Sequence, residues 1–157
     1  MATTKGRIRA ISVSKERGTR KLNVPKAELK ADFGIIGDAH AGNWHRQVSL
    51  LGAESIDKMA AKGAKVSPGD FAENITTEGI DLGALKVGSK LRLGTNVELE
   101  ITQSGKRCHK RCEILKQLGD CIMPREGIFA KVTKGGTINV GNAIEVINAQ
   151  SSYIDSQ

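Results

Sequence analysis

The sequence predicts a single, mainly β domain, antiparallel and barrel-like, with one or two short helices. Three observations carry that reading. Alternation of period two, rich in β-branched side chains, recurs in short segments from residue 7 to residue 147. Eighteen glycines and only five aromatics (Phe33, Trp44, Phe71, Phe129, Tyr153) point to many tight turns around an aliphatic core. No strand–helix alternation runs along the chain, which argues against a parallel sheet and for an antiparallel barrel or sandwich. At 157 residues the chain has the length of one domain. Such a domain buries about 70% of its unfolded surface and needs no disulfide staples. The predicted core spans about 6–147.

Residues 7–14, Arg-Ile-Arg-Ala-Ile-Ser-Val-Ser, alternate as a strand does. A basic loop with Gly18 follows, then a short strand at Leu22-Asn23-Val24, closed by Pro25. Ala31 to Gly37 is a short apolar stretch ending in a turn, and Gln47 to Leu51 reads as a strand. A helix is predicted from about Glu54 to Lys62, because Ile56, Met59 and Ala60 fall at helical spacing and Gly63 is a good stop. Ser67-Pro68-Gly69-Asp70 is a turn signature, and Phe71 to Thr77 follows as a strand. Lys90–Leu93 and Val97–Thr102 alternate cleanly on either side of Gly94-Thr95-Asn96, which is a hairpin in outline. Cys112 to Leu118 has room for one or two helical turns before Gly119. Gly127–Thr133, Thr137–Val140 and Ala143–Ile147 close the series as strands, with Gly135-Gly136 and Gly141-Asn142 as their turns. The tail after Asn148 is polar and expected to fray.

The first residues lead into an amphipathic strand with no apolar signal core. No apolar run approaches the roughly 20 residues of a membrane span. With an odd number of clustered cysteines, these features give the expectation of a soluble cytoplasmic protein with free thiols and no membrane partner. The net charge of +7 favours anionic partners such as nucleic acid, phosphate-bearing cofactors or an acidic protein. Nucleic acid is disfavoured, since no stacking aromatics flank the basic run.

That basic run is the first place to look for chemistry. Cys108 and Cys112 lie in Gly105-Lys106-Arg107-Cys108-His109-Lys110-Arg111-Cys112, and Cys121 follows nine residues later. The thiolate is the form that attacks or binds metal, and nearby cations lower a cysteine pKa from about 8.5 to roughly 3.5–7.5. Three readings are open. The residues form a zinc site of three thiolates and His109, against the awkward adjacency of Cys108 and His109. One thiol is a nucleophile or sulfur carrier. Or one thiolate ligates a soft metal such as molybdenum within a cofactor. The alternative of small buried hydrophobes suits Cys121, in its apolar surroundings, better than Cys108 or Cys112.

A second constellation is Gly37-Asp38-Ala39-His40-Ala41-Gly42 with Trp44-His45-Arg46-Gln47, a glycine-framed loop able to bind an anion through Arg46 and His45. A self-satisfied polar turn is the bland reading of the same residues. Asn74, after Pro68-Gly69-Asp70-Phe71-Ala72-Glu73, could hydrogen-bond a ligand. Arg125, in Met123-Pro124-Arg125-Glu126-Gly127, could face an anion.

Taken in order, these segments, with Val48-Ser49-Leu50, Gly79-Ile80-Asp81-Leu82, Leu85-Lys86-Val87-Gly88 and Ile128-Phe129-Ala130, resemble the MOSC domain. That family is named for the C-terminal domain of molybdenum cofactor sulfurase. The likeness spans roughly 6–147. It implies a barrel-like β fold and binding of the molybdenum cofactor (molybdopterin), a phosphate-bearing pterin dithiolene. It also implies sulfur transfer or molybdenum ligation through one cysteine, Cys108 by the Gln103 and Arg107-Cys108 match, or Cys112 by the Arg111-Cys112 match. The implied cofactor-binding residues are His40, His45, Arg46, Gln47, Asn74, Lys106, Arg107, Arg111 and Arg125. The implied partners are a sulfur donor protein and either cofactor biosynthesis proteins or a molybdoenzyme.

Two departures bound the carry-over. The sulfurase proper has an aminotransferase-like domain that uses pyridoxal phosphate, and this chain has no room for one, so no pyridoxal phosphate is expected on it. It also lacks the extra N-terminal barrel of the amidoxime-reducing members. The rival readings are a non-catalytic basic β-barrel adapter and a zinc-stabilised nucleic-acid binder.

Overall fold

The computed structural model describes residues 4–17, 19–104 and 126–148. The helical turns expected at 112–118, the three cysteines, Lys106, Arg107, Arg111 and Arg125 lie outside those residues.

The chain runs as β1 (Lys5–Val13), β2 (Leu22–Val24), β3 (Lys26–Lys30), β4 (Gly34–Ile35), β5 (Val48–Gly52) and α1 (Ala53–Ala61), then β6 (Ile75–Glu78), a 3₁₀ turn at Leu82–Ala84 and β7 (Lys90–Leu93). β8 (Val97–Ser104), β9 (Ile128–Lys134), β10 (Gly136–Asn139) and β11 (Ala143–Asn148) complete it. Seven strands close into a barrel in the order β11-β7-β8-β9-β5-β6-β1, sealed where β1 pairs β11 and extended at β1 by β2. A second small sheet, β10-β3-β4, lies beside it. Closure leaves no free edges along the seven strands, the physical advantage of a barrel. No helix among the described residues is long and apolar enough to cross a membrane.

Alternation does what the sequence promised in the β7–β8 hairpin. Leu91 faces Leu99 and Leu93 faces Val97 across the pair, all buried, while Lys90 opposes Glu100 and Arg92 opposes Glu98. The second set places opposite charges on the outer face, where directly opposed pairs stabilise the register. In β1, Ile8 and Ile11 are three residues apart yet both belong to the barrel core. A register shift between Ile8 and Ala10 against β6 explains it, since an extra residue flips the alternation.

One pairing departs from the antiparallel expectation. β5 and β6 are parallel, with Leu50 opposite Ile75, because α1 and its following loop carry the chain back across the barrel wall. This is also why all five residues of β5 are buried. Val48 and Leu50 face the barrel core, while Leu51 packs in a second cluster with Ile56 and Met59 of α1, Phe71, Ala72 and Phe129.

Two further readings are corrected. The strand expected over 71–77 begins only at Ile75, because Ala72 adopts a left-handed φ of 64° and Glu73 folds its carboxylate back onto the N–H groups of Gly69 and Phe71. The strand β3 went unpredicted, because in Lys-Ala-Glu-Leu-Lys only Leu29 is buried.

Gly69 shows the tightest demand of this turn. Its φ is +96°, and a Cβ there would run into the Lys21 carbonyl oxygen. Gly69→Ala is expected to lower stability by about 1–3 kcal/mol from backbone strain alone, with the steric clash adding to it. Urea unfolding of the variant checks this.

Candidate functional site

The loop from Gly37 to Gln47 enters β5 at one end of the barrel, and its conformation is set from beneath by a buried ion pair. Lys21 Nζ lies 2.8 Å from Asp38 Oδ1, and both side chains are fully excluded from solvent. Asp38 also accepts hydrogen bonds from the backbone N–H groups of Ser14 and His40, each at 3.0 Å. Burial pushes the Asp38 carboxyl up, but hydrogen bonding with His40 and Lys21 and the lysine charge outweigh it. The carboxyl is held well below the usual carboxylate range. Asp38 is therefore a fixed anion around which the loop folds.

Above it the loop builds a layer of rings and cations. The Trp44 indole donates to the His40 carbonyl at 2.7 Å and lies parallel to the His40 ring. The Arg17 guanidinium sits 4.5 Å from the Trp44 ring centroid. Arg46 lies 6.0 Å from the same ring and 5.4 Å from that of Phe129, a distance at which a cation is attracted to an aromatic face. Arg46 Nε donates to Gln103 Oε1 at 2.9 Å. His45 Nε2 meets the same oxygen at 2.9 Å, so His45 carries its proton on Nε2 there. Thr102 Oγ1 donates to the His45 carbonyl, which ties the loop to β8. With Nε fixed on Gln103, the terminal Nη groups of Arg46 make no hydrogen bond among the described residues.

The described candidates thus divide. His45 and Arg46 stand together on a cationic, partly exposed surface, and His40 is buried beneath them. Gln47 is buried, and its Oε1 accepts the Val132 N–H at 2.9 Å. Asn74 is buried too. Its Oδ1 accepts from the Ser49 N–H (3.0 Å) and hydroxyl (3.2 Å), and its Nδ2 donates to the Ser12 carbonyl (3.1 Å). Both amides are engaged in joining strands. Beside Asn74, Glu73 is wholly buried, and burial raises its carboxyl pKa against the opposing bonds from Gly69, Thr76 and Phe71.

Sequence reasoning missed Lys21 and the role of Gln103. A lysine in a basic loop reads as solvated, and Gln103 lies 58 residues from His45. Its position in a β strand was legible, its partners were not.

A cavity of about 640 Å³ lies at the end of β8, between α1 and the 3₁₀ turn. Gln103 pairs with Phe129, and the next pair along, Ser104 with Ile128, lines the cavity. Its floor is Ile80, Leu82 and Ile128, and its polar wall includes Glu54, Asp81 and Glu126. Glu54 Oε2 accepts the Gly79 N–H at 2.8 Å. Glu126 Oε1 receives the Ser55 hydroxyl at 2.5 Å and the Lys58 ammonium at 3.0 Å. Ser104 and Glu126 flank the stretch 105–125. Both of these flanking residues line the cavity. Among the described residues no group of three or more His, Cys, Asp or Glu could hold a metal ion.

Solved structures share this fold. The YuaD protein from Bacillus subtilis superposes with a TM-score of 0.77 at 21% identity, covering 93% of this chain and 97% of that one. YiiM from Geobacillus stearothermophilus gives 0.68 at 18% identity, covering 90% and 75%. YiiM from Escherichia coli gives 0.67 at 18%, covering 93% and 72%. At these identities the likeness is one of fold. No curated protein matches the sequence. The family model of the MOSC domain matches residues 37–145, from the loop that carries Asp38 to the strand that closes the barrel, and the chain belongs to that family.

Proposed function

We propose that this chain binds the molybdenum cofactor and, through Cys108 or alternatively Cys112, transfers sulfur to it or ligates its metal, in cofactor maturation or delivery in the cytoplasm. The observation that supports this most directly is Arg46. Its Nε is locked on Gln103, its Nη groups lack partners among the described residues, and His45 stands at its side. A guanidinium so held offers a preset fork to a phosphate group, with little rotamer freedom left to lose.

The Arg46–His45 surface suits the phosphate of a phosphorylated pterin. In this reading Arg46 and His45 hold the phosphate end, with Lys106, Arg107, Arg111 and Arg125 adding positive charge. Cations adjoining Cys108 in sequence favour its thiolate, the form required both to carry sulfur and to ligate metal. When bound, the cofactor supplies a sulfur-ligated molybdenum centre. His40, Gln47 and Asn74 act at one remove, by fixing the loop and the strands that aim Arg46. A sulfur donor protein and an acceptor molybdoenzyme, or the proteins that build the cofactor, are the corresponding partners.

The test is elemental and mass analysis of the chain purified from molybdate-replete cells. Molybdenum with pterin, or an added sulfur atom on the cysteine peptide, is expected. Arg46→Ala should lower retained cofactor roughly 10- to 100-fold, the worth of one hydrogen bond to a charged group. The double variant Cys108→Ser/Cys112→Ser should lose both molybdenum and bound sulfur with an unchanged melting temperature. Undiminished loading in that double variant would overturn the reading.

A further inference from the structure

Two arginines from separate segments converge on one aromatic ring. That ring is Trp44, the chain's single tryptophan. Its indole N–H donates to the His40 carbonyl at 2.7 Å, which fixes the ring in the loop. The Arg17 guanidinium, from the loop after β1, sits 4.5 Å from the ring centroid, and that of Arg46 sits 6.0 Å from it. The two guanidinium carbons are therefore no farther apart than those two distances laid end to end. Each arginine is also fastened at Nε. Arg17 donates to the Ala39 carbonyl at 3.3 Å, and Arg46 to Gln103 Oε1 at 2.9 Å. Among the described residues neither Nη fork makes a hydrogen bond, and neither cation is paired with a carboxylate. The one acid of the loop 37–47, Asp38, is sealed from solvent against Lys21. Like charges so placed repel across an empty surface, and an anion bound between them turns the repulsion into attraction. A planar guanidinium stacked on an indole and held at Nε keeps its outer fork preset for an oxyanion.

We propose that Arg17 is a second phosphate-binding arginine of this site, and that Trp44 is the positioning residue that presets both guanidiniums toward one phosphate group. Two forks suit the three terminal oxygens of a phosphate monoester better than the two of a carboxylate. This deepens the cofactor reading and rests on it for the identity of the ligand. It adds a residue that lies outside the family match at 37–145.

Trp44 emission reads the site directly, because no other tryptophan contributes. The full chain is titrated with phenyl phosphate at constant ionic strength, followed by that emission and by calorimetry, with benzoate as the carboxylate control. Saturable binding of phenyl phosphate is expected, at least tenfold tighter than that of benzoate. Arg17→Gln and Arg46→Gln should each weaken it about tenfold or more, the worth of hydrogen bonds to a charged group, at an unchanged melting temperature. In the double variant the second replacement should cost much less than the first, because both forks serve one group. Arg17→Lys, which keeps the charge without the fork, should recover only part of the loss. Trp44→Leu, read by calorimetry, should weaken binding, and Trp44→Phe, which keeps an aromatic face, should recover most of it. Unchanged affinity in Arg17→Gln, full recovery in Arg17→Lys, or no saturable binding to wild type would each overturn the proposal. Molybdenum and sulfur analysis of wild type decides the cofactor reading separately: phosphate binding without either would sink that reading and leave the Arg17 site standing.

Discussion

Lys21→Met is expected to destabilise the protein by about 3–5 kcal/mol, the usual consequence of removing one partner of a fully buried ion pair. The lysine and aspartate side chains are both inaccessible to solvent, so water cannot replace the missing ammonium around Asp38. The two backbone N–H groups of Ser14 and His40 remain as donors but carry no full charge. Lys21→Met with Asp38→Asn should recover part of the loss, because no isolated charge is then left inside. The pH dependence has a definite sign. The Asp38 carboxyl is held below its unfolded value of about 3.9. Its stabilising contribution is therefore complete above that value and is lost as pH falls toward the folded pKa. The gap between wild type and Lys21→Met, read from urea midpoints, should be widest near pH 7 and should narrow below about pH 4. A gap that does not change with pH would mean that the pair is not what the variant disturbs. Because Asp38 also fixes the His40 N–H, and Trp44 bonds the His40 carbonyl, the same variant should loosen the platform under Arg46.

What could be read in advance follows from which interactions are local. The β7–β8 hairpin was legible to its turn, because period-two alternation on both arms and Gly94-Thr95-Asn96 are all near neighbours in sequence. The helix was legible for the same reason, and the structure places it at Ala53–Ala61 with Ile56 and Met59 buried. The parallel pairing of β5 with β6 was not, since it depends on where the crossover returns the chain. β3 was missed because its ladder with β10 and β4 supplies backbone bonds that a charged sequence does not advertise. At the candidate site, His45 and Arg46 stood out by residue type as candidates. Their shared acceptor Gln103 and the buried Lys21–Asp38 pair did not, because each joins segments brought together only by barrel closure. The burial of Gln47 and Asn74 was not legible either: residue type marked them as candidate ligand contacts, and the fold engages their amides on backbone groups.

Asn74 makes that difference measurable. Its side chain bonds the Ser49 N–H and hydroxyl through Oδ1 and the Ser12 carbonyl through Nδ2, so it joins β5 to β1 at the point where β6 begins. Asn74→Ala leaves the Ser49 N–H and the Ser12 carbonyl without their side-chain partner in a site closed to water. At about 1–3 kcal/mol for each orphaned group, the expected loss is roughly 2–6 kcal/mol. The Ser49 hydroxyl still reaches the Ala72 carbonyl at 3.3 Å and is not orphaned. Asn74→Ser, which restores one short polar group, should recover less than half of the loss, because a hydroxyl cannot span both strands. The cofactor readout should move differently. Per folded molecule, molybdenum retained by Asn74→Ala should stay close to that of wild type, since Asn74 has no exposed atom to offer a ligand. Loss of molybdenum with an unchanged urea midpoint would instead assign Asn74 a direct contact with the ligand, and would require β1 and β5 to part at that point when the ligand binds.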